Sequence, residues 1–374
     1  CAPEPGGPVN MATGADNLVE GYLRVKSDPY GSYADSGFGG TPGGGDEFNP
    51  TGWDAAQATF SAAYYLFKAD TNQRELLSNN PDWQANYDFG ADDSLDREIT
   101  LINQETDTDA DTVTDQLNSA FNVTGAGVDL SFTLQQNVVN HEPGVATMTQ
   151  TLVITNNLAA AIEFELLRVL DGDLIWVGTA TDDSVGTGTN GASSADTYVY
   201  IQEAGDPNTC VTMSSPSASN YAGGKLTVNP DPGDPDCPEY GYGSDTDQWD
   251  AYGLPACWHN HIANVGYDTD GVSGATPGDD AHTDLKMIVS LPASGVETIV
   301  VTHTYGLPCP YGQDCAAGGC IWDCETVPDN SVGVTDFLAI LAQWGQVGTS
   351  CDFDGGGVGV TDFLELLANW GPCP

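Results

Sequence analysis

From about residue 18 to residue 305 the chain runs in short stretches that alternate apolar and polar residues. "LVEGYLRV" (18–25), "VDLSFTLQQNVV" (128–139), "ATMTQTLVITN" (146–156) and "IEFELLRVL" (162–170) read this way. So do "TYVYIQ" (197–202), "LKMIVSL" (285–291) and "ETIVVTHTY" (297–305). A period of two places every second side chain on one face of a strand. Val, Ile, Thr and Tyr dominate these runs, and Gly, Asn, Asp and Pro separate them, which is strand and turn chemistry. No helical period alternates with them, so a parallel α/β sheet is disfavoured. The pattern predicts a mainly β chain, built as a large antiparallel β-sandwich over 18–308. Its core should take Phe132, Leu134, Leu152, Ile154, Phe164, Leu166, Ile288 and Ile299. Residues 1–17, polar and rich in Pro and Gly, read as an N-terminal arm.

The pattern changes after 308. A Cys-rich connector occupies 309–324, and the end of the chain repeats itself. "VGVTDFLAILAQWG" (332–345) returns as "VGVTDFLELLANWG" (358–371), with 11 of 14 positions identical at a spacing of 26 residues. Phe337, Leu338, Ile340, Leu341 and Trp344, and Phe363, Leu364, Leu366, Leu367 and Trp370, fall at helical spacing. Thr335 and Thr361 are candidate N-caps, and Asp336 and Asp362 suit a first helical turn. Helices this short do not stand alone in water, so the two are expected to bury their apolar stripes against each other.

Upstream of the second copy lies "CDFDGGGVGVTD". This resembles the calcium half of a type I dockerin, an F-hand whose loop reads D-x-D-x-D-G with an acidic residue at position 12. The resemblance covers 325–374. It implies Ca²⁺ held by Asp352, Asp354 and Asp362, with Gly357 as the turn glycine, and a cohesin-like docking partner. Gly356 stands where the family has Asp, and Asp362 arrives one residue early. In the first copy only Glu325 and Asp329 are acidic, and Val327 takes a ligand position. Packing and disulfides are therefore expected to hold the tail in place of calcium. The stretch "TQTLVITNNLAAAIEFELLRVLDGDLIW" also resembles exported bacterial sandwich proteins, and no activity follows from that.

Charge narrows the classes of partner. The chain has 54 acidic and 8 basic residues, a formal net charge of −46. Nucleic acid and anionic membranes need Lys and Arg, so both are excluded as partners. Acidic side chains are hard oxygen ligands, which suits salt or Ca²⁺ as company; they also make a solvated surface. No run of 18 apolar residues exists to span a membrane. Ten cysteines, none in a C-x-x-C pair, point to disulfides in an oxidising compartment. They are Cys1, Cys210, Cys237, Cys257, Cys309, Cys315, Cys320, Cys324, Cys351 and Cys373. Cys351 and Cys373 flank the second helix and can pair with each other or with the 309–324 cluster. A chain opening on Cys1 reads as a cleaved, exported one. A lipidated first cysteine is the other reading, and it would leave an odd number of thiols.

Candidate chemistry is sparse. "ETDTDADTVTD" sets Asp107, Asp109, Asp111 and Asp115 at calcium-loop spacing, though Thr112 stands where such loops take Gly and position 12 is not acidic. The alternative is a solvated acidic loop. "DTDG" (268–271) and "SDTDQWD" (244–250) are weaker versions. "CWHNHI" places His259 and His261 two apart, a possible transition-metal pair with His282 or His303 as a third ligand; two plain loop histidines are the competing reading. Arg168, ahead of Asp171 and Asp173, reads as a structural ion pair. No nucleophile elbow, P-loop, dinucleotide fingerprint or zinc-protease motif is present. Loop aromatics such as Trp53, Trp83, Tyr240, Tyr242, Trp249, Tyr252 and Trp258 suit stacking on sugars or subunit contacts equally. The resulting expectation is a secreted or cell-surface, non-enzymatic protein that self-assembles into an extracellular polymer, layer or filament. The alternative is a carbohydrate-binding or polysaccharide-processing component displayed through the tail.

Overall fold

The computed structural model describes residues 8–14, 19–34, 47–49, 56–57, 61–68, 70–71, 73–79, 95–142, 144–172, 174, 183–189, 197–203, 210–225, 281–306, 324, 331–346, 351, 358–368 and 371–372. The strands in chain order are β1 (Val9–Ala12), β2 (Tyr22–Ser27), β3 (Tyr33–Ala34), β4 (Glu47–Asn49), β5 (Ala56–Gln57), β6 (Ser61–Lys68) and β7 (Gln73–Leu77). Next come β8 (Asp96–Thr106), β9 (Gln116–Gly125), β10 (Val128–Glu142), β11 (Val145–Asn156), β12 (Ile162–Gly172), β13 (Asp183–Thr189) and β14 (Thr197–Glu203). The last are β15 (Cys210–Ser214), β16 (Asn220–Lys225), β17 (Ala281–Leu291), β18 (Val296–Gly306), β19 (Ser331–Val332) and β20 (Gly371–Pro372), with helices α1 (Val334–Ala342) and α2 (Val360–Ala368) in the tail.

Among the described residues the strands form a 10-stranded sheet, ordered β16-β17-β12-β6-β3-β2-β4-β5 with β1 on β2 and β7 on β6, and an 8-stranded sheet, ordered β13-β14-β15-β18-β11-β10-β9-β8. Every pairing is antiparallel, and the β10–β11 hairpin holds register from Leu130↔Asn156 to Asn140↔Ala146 before a bulge. One hydrophobic core lies between the sheets: Leu166 and Met287 from the first, Phe132, Leu152 and Ile299 from the second, all 1% exposed or less. The alternating runs predicted the inward phase of Phe132, Leu134, Leu152, Ile154, Phe164, Leu166 and Ile299.

Two expectations need correction. Ile288 is 47% exposed. In "LKMIVSL" Ile288 shares its phase with Lys286 and Ser290, while the other phase is wholly apolar, and β17 buries that phase, Leu285, Met287, Val289 and Leu291. The first 17 residues are not all arm: β1 pairs with β2 from Val9↔Ser27 to Ala12↔Arg24, and Met11 is fully buried.

A polar layer crosses the middle of the core. After β2 the chain turns at Asp28–Ser32 into the space between the sheets. Asp28 is fully buried, and its carboxylate accepts hydrogen bonds from the amides of Tyr30 (2.9 Å), Ser32 (2.9 Å) and Asn79 (2.6 Å). The Gly31 carbonyl accepts from Gln150 Nε2 (2.8 Å) and Arg168 Nη1 (3.1 Å). Gln136 receives Ser27 Oγ (2.6 Å) and Gln150 Nε2 (2.8 Å), and donates to the Asp28 carbonyl (3.1 Å). Tyr64 Oη donates to Gln150 Oε1 (2.9 Å). Side chains of both sheets thus meet on one turn, which satisfies its buried backbone groups.

The side chain of Asp171 and all of Asp173, the partners expected for Arg168, lie outside the described residues. Arg168 points between the sheets, fully buried, with the Tyr64 and Tyr33 rings 4.4 and 5.0 Å from its guanidinium carbon and His303 Nε2 accepting from its Nε at 3.3 Å. No carboxylate among the described residues pairs with it. Strand alternation sets position 168 on the core side, in phase with Phe164 and Leu166.

Gly31 sits at φ +86°, and a Cβ there would lie 2.9 Å from Leu134 Cδ2 and 3.0 Å from Gln150 Nε2. Gly31→Ala should therefore cost about 3 kcal/mol, combining a left-handed backbone with overpacking, read by denaturant unfolding. Burial pushes the Asp28 carboxyl up to about 6, against the three amides and Arg97 that favour its charge. The unfolded chain releases this proton near 3.8 and the native fold near 6, so between those values the native state holds more protons. The stability this group contributes is full below the lower value and is lost as pH rises through the upper one. The melting temperature of Asp28→Asn should fall less between pH 4 and 7 than that of the unmodified chain.

Candidate functional site

The β8–β9 connection is the acidic loop singled out by spacing. β8 ends at Thr106 and β9 begins at Gln116, so both ends are anchored on a paired hairpin. Ligand oxygens of Asp107, Asp109 and Asp115 lie within 4.8 Å of one another. Asp111 is not in this group; its Oδ1 accepts from the Val113 amide at 2.8 Å.

The loop is laced by its own side chains. Asp107 accepts from the amides of Ala110 (2.6 Å) and Thr112 (2.9 Å), and Asp115, nearly buried, accepts from the Thr108 amide (3.0 Å) and hydroxyl. The Asp115 carbonyl receives the Val138 amide at 2.9 Å, and the Thr114 carbonyl receives that of Ala12 at 2.8 Å, tying the loop to β10 and β1. Ala110 and Thr112 take positive φ, 67° and 79°. Thr112 thus bends the chain where calcium loops of this spacing use glycine.

Electrostatics separate the carboxyls. Partial desolvation, then the charges of Asp111, Asp115 and Asp107, raise the Asp109 carboxyl above its ordinary value. For Asp107 desolvation acts the same way, but the loop amides outweigh it and lower the carboxyl. The donor set is all oxygen, and each carboxylate keeps free lone pairs. Such a set suits a hard cation rather than a soft metal.

The other predicted residues fall differently. Asp362 is 1% exposed, and its Oδ2 accepts from the Gly359 amide at 2.8 Å. Asp336 repeats this on Gly333 at 2.8 Å, and its Oδ1 accepts from the Cys324 amide at 2.7 Å. These aspartates close the helix starts by reaching back one turn, the reciprocal half of a capping box. α1 starts from Gly333, with Thr335 exposed, so glycine replaces the threonine expected as its cap. Asp352 and Asp354 lie outside the described residues, as do His259, His261 and the acidic stretches 244–250 and 268–271. The side chain of His282 is likewise not described. His303 is buried against Arg168; burial and that cation depress its basicity.

Cys324 is bonded to Cys351, with Cα atoms 5.2 Å apart, joining the connector to the tail. Cys210 is also disulfide-bonded. Cys1, Cys237, Cys257, Cys309, Cys315, Cys320 and Cys373 lie outside the described residues, as do the seven loop aromatics. Around the Cys324–Cys351 bridge, Val332, Ile340, Val358 and Leu366 form a small core, with the Phe337 and Phe363 rings 5.9 Å apart. The expected mutual burial of the helix stripes holds only for this inner row. Val334, Leu338 and Leu341 on α1, Trp344 just after it, and Val360, Leu364 and Leu367 on α2, are 44–65% exposed. The outer residues recur at the 26-residue spacing, so the duplication presents one apolar face twice. Among the described residues no helix is long and apolar enough to cross a membrane.

No family model and no curated protein matches the chain. Among solved structures it is similar to a protein named as a kojibiose phosphorylase from the human microbiome, with 9% identity and a TM-score of 0.35, over 78% of this chain and 30% of that one. It is similar to the Slr1438 protein from Synechocystis, with 7% identity and a TM-score of 0.38, over 82% of this chain and 98% of that one. It is also similar to a protein named as an aldose 1-epimerase from Klebsiella pneumoniae, with 10% identity and a TM-score of 0.33, over 76% of each chain. The chain spans less than a third of the phosphorylase. Likeness at this level bears on neither activity nor substrate.

Thr112 carries a β-branched side chain at a backbone angle that L residues rarely adopt. Thr112→Gly should stabilise the fold by about 1 kcal/mol, visible as a higher midpoint in denaturant.

Proposed function

We propose that the protein is an exported, non-catalytic structural protein that assembles through the apolar face of its C-terminal tail. The observation that carries this reading is the exposed row Val334, Leu338, Leu341 and its copy Val360, Leu364, Leu367. An isolated exposed leucine is ordinary; a contiguous row repeated on both helices is a surface made for covering. α1 has no exposed charged residue, since its acidic residue, Asp336, is buried. The row on α1 can therefore meet a surface without bringing a carboxylate of that helix to it. The first candidate for that surface is another copy of the chain, and head-to-tail contacts of this kind propagate into filaments. The Cys324–Cys351 disulfide is consistent with an oxidising, extracellular setting.

Cations are the second part of the reading. At −46 net charge, copies repel unless their acidic faces are screened or bridged. The loop at Asp107, Asp109 and Asp115 is the proposed Ca²⁺ site. Ca²⁺ binding only to the native state should raise the melting temperature, and Asp109→Asn with Asp115→Asn should remove that rise. An identical melting curve in Ca²⁺ and in chelator would reject the site.

Assembly is tested by sedimentation of the full chain in Ca²⁺, beside Leu338→Asp with Leu364→Asp. The full chain should sediment as concentration-dependent oligomers and the double variant as a folded monomer. A full chain that stays monomeric at every concentration rejects self-assembly.

A further inference from the structure

The 8-stranded sheet has a second face, turned away from the core. On β9, β10, β11 and β18 the alternate positions are buried, so the outward ones within 116–122, 131–139, 149–155 and 296–302 share one surface. Each of these is Thr, Ser, Asn, Gln, Val or Ala. None is charged, in a chain whose 54 acidic residues leave a net charge of −46. The rows run straight across strands: Asn137 opposite Thr149, and Thr149 opposite Thr302. Gln135 opposes Thr151, and Gln135 Nε2 donates to Asn118 Oδ1 at 3.2 Å. The hydroxyls of Thr149, Thr151, Thr298 and Thr302 have no protein partner among the described residues. Acidic residues return only at the margin, with Glu98 on β8 opposite Asn122.

We propose that this face binds a neutral, hydroxyl-rich polysaccharide chain. Charge selects the partner: an uncharged plane on a strongly acidic chain admits a neutral polymer and repels an anionic one at its rim. Chemistry agrees, because hydroxyls and amides both donate and accept, as sugar hydroxyls do. Size argues against a second copy. At strand spacings the open plane is about 20 Å by 14 Å, roughly 300 Å², whereas a stable protein interface takes about 800 Å² per partner. With no aromatic platform on the plane, binding sums many weak contacts and strengthens with polymer length. The inference does not rest on the tail or on self-assembly.

The test is native electrophoresis of the full chain through gels containing hydroxyethylcellulose, a neutral glucan, or alginate, an anionic polymer. The neutral gel should retard the protein and alginate should not. Thr149→Val, Thr151→Val and Thr302→Val together remove hydroxyls while keeping strand-compatible shapes, and should weaken retardation at least tenfold with an unchanged melting curve. Leu338→Asp with Leu364→Asp should leave retardation intact, which separates this result from the fate of the tail reading. The proposal is overturned if the neutral gel does not retard the full chain, or if the triple variant is retarded equally. It is also overturned if sedimentation shows a dimer that the triple variant loses, since the face then belongs to a second copy.

Discussion

A fully buried guanidinium, that of Arg168, sits at the centre of the sandwich, and the arrangement of both sheets answers to it. A buried charge must be met by what surrounds it. The Gly31 carbonyl, the His303 ring nitrogen and the faces of Tyr33 and Tyr64 meet it. The Gly31 carbonyl reaches it because the chain after β2 dips between the sheets, and the dip survives burial because Asp28 and Gln150 satisfy its backbone. Arg168 and Tyr64 belong to one sheet, Gln136, Gln150 and His303 to the other. An apolar core of the same volume would tolerate small slides of one sheet over the other. Here a slide would strip partners from a buried charge, a loss of several kcal/mol.

The acidic residues are not spread evenly over the described chain. They concentrate in the β8–β9 loop and at the sheet margins, while Asp336 and Asp362 of the tail are buried and the central outward positions of β9, β10, β11 and β18 carry none. This sorting leaves surfaces of different character on one molecule. The loop gathers negative charge and suits a hard cation. The tail exposes aliphatic side chains, and the sheet face exposes hydroxyls and amides.

In the tail the repeated aspartates serve the backbone. Asp336 and Asp362 each accept an amide proton from the glycine three residues earlier. Asp336 also receives the Cys324 amide, next to the disulfide that links the connector to Cys351. A covalent link and two buried caps hold the helix starts, and the Gly345 and Val358 amides tie the two repeats together through Val358 and Gln346 carbonyls at 2.8 Å.

The alternation of side chains by itself determined that this is a mainly β chain, which residues of β10, β11, β12 and β18 face inward, and where the helical repeat begins. It could do so because a one-residue slip would turn a whole apolar row outward. It was silent on β6, "SAAYYLFK", whose described residues are buried on both faces and carry no alternation, and at Ile288 hydrophobicity alone misleads, since the period puts that residue in phase with Lys286 and Ser290. The convergence of Asp107, Asp109 and Asp115 was legible from spacing, because a short loop anchored on a hairpin has few ways to place alternate carboxylates. The use of each aspartate was not. Asp111, Asp336 and Asp362 found backbone amides, and only the folded turns bring those amides within reach. Arg168 found a carbonyl 137 residues away in sequence. Which acceptor a polar group takes depends on what burial leaves available, and that is decided only when the sheets close.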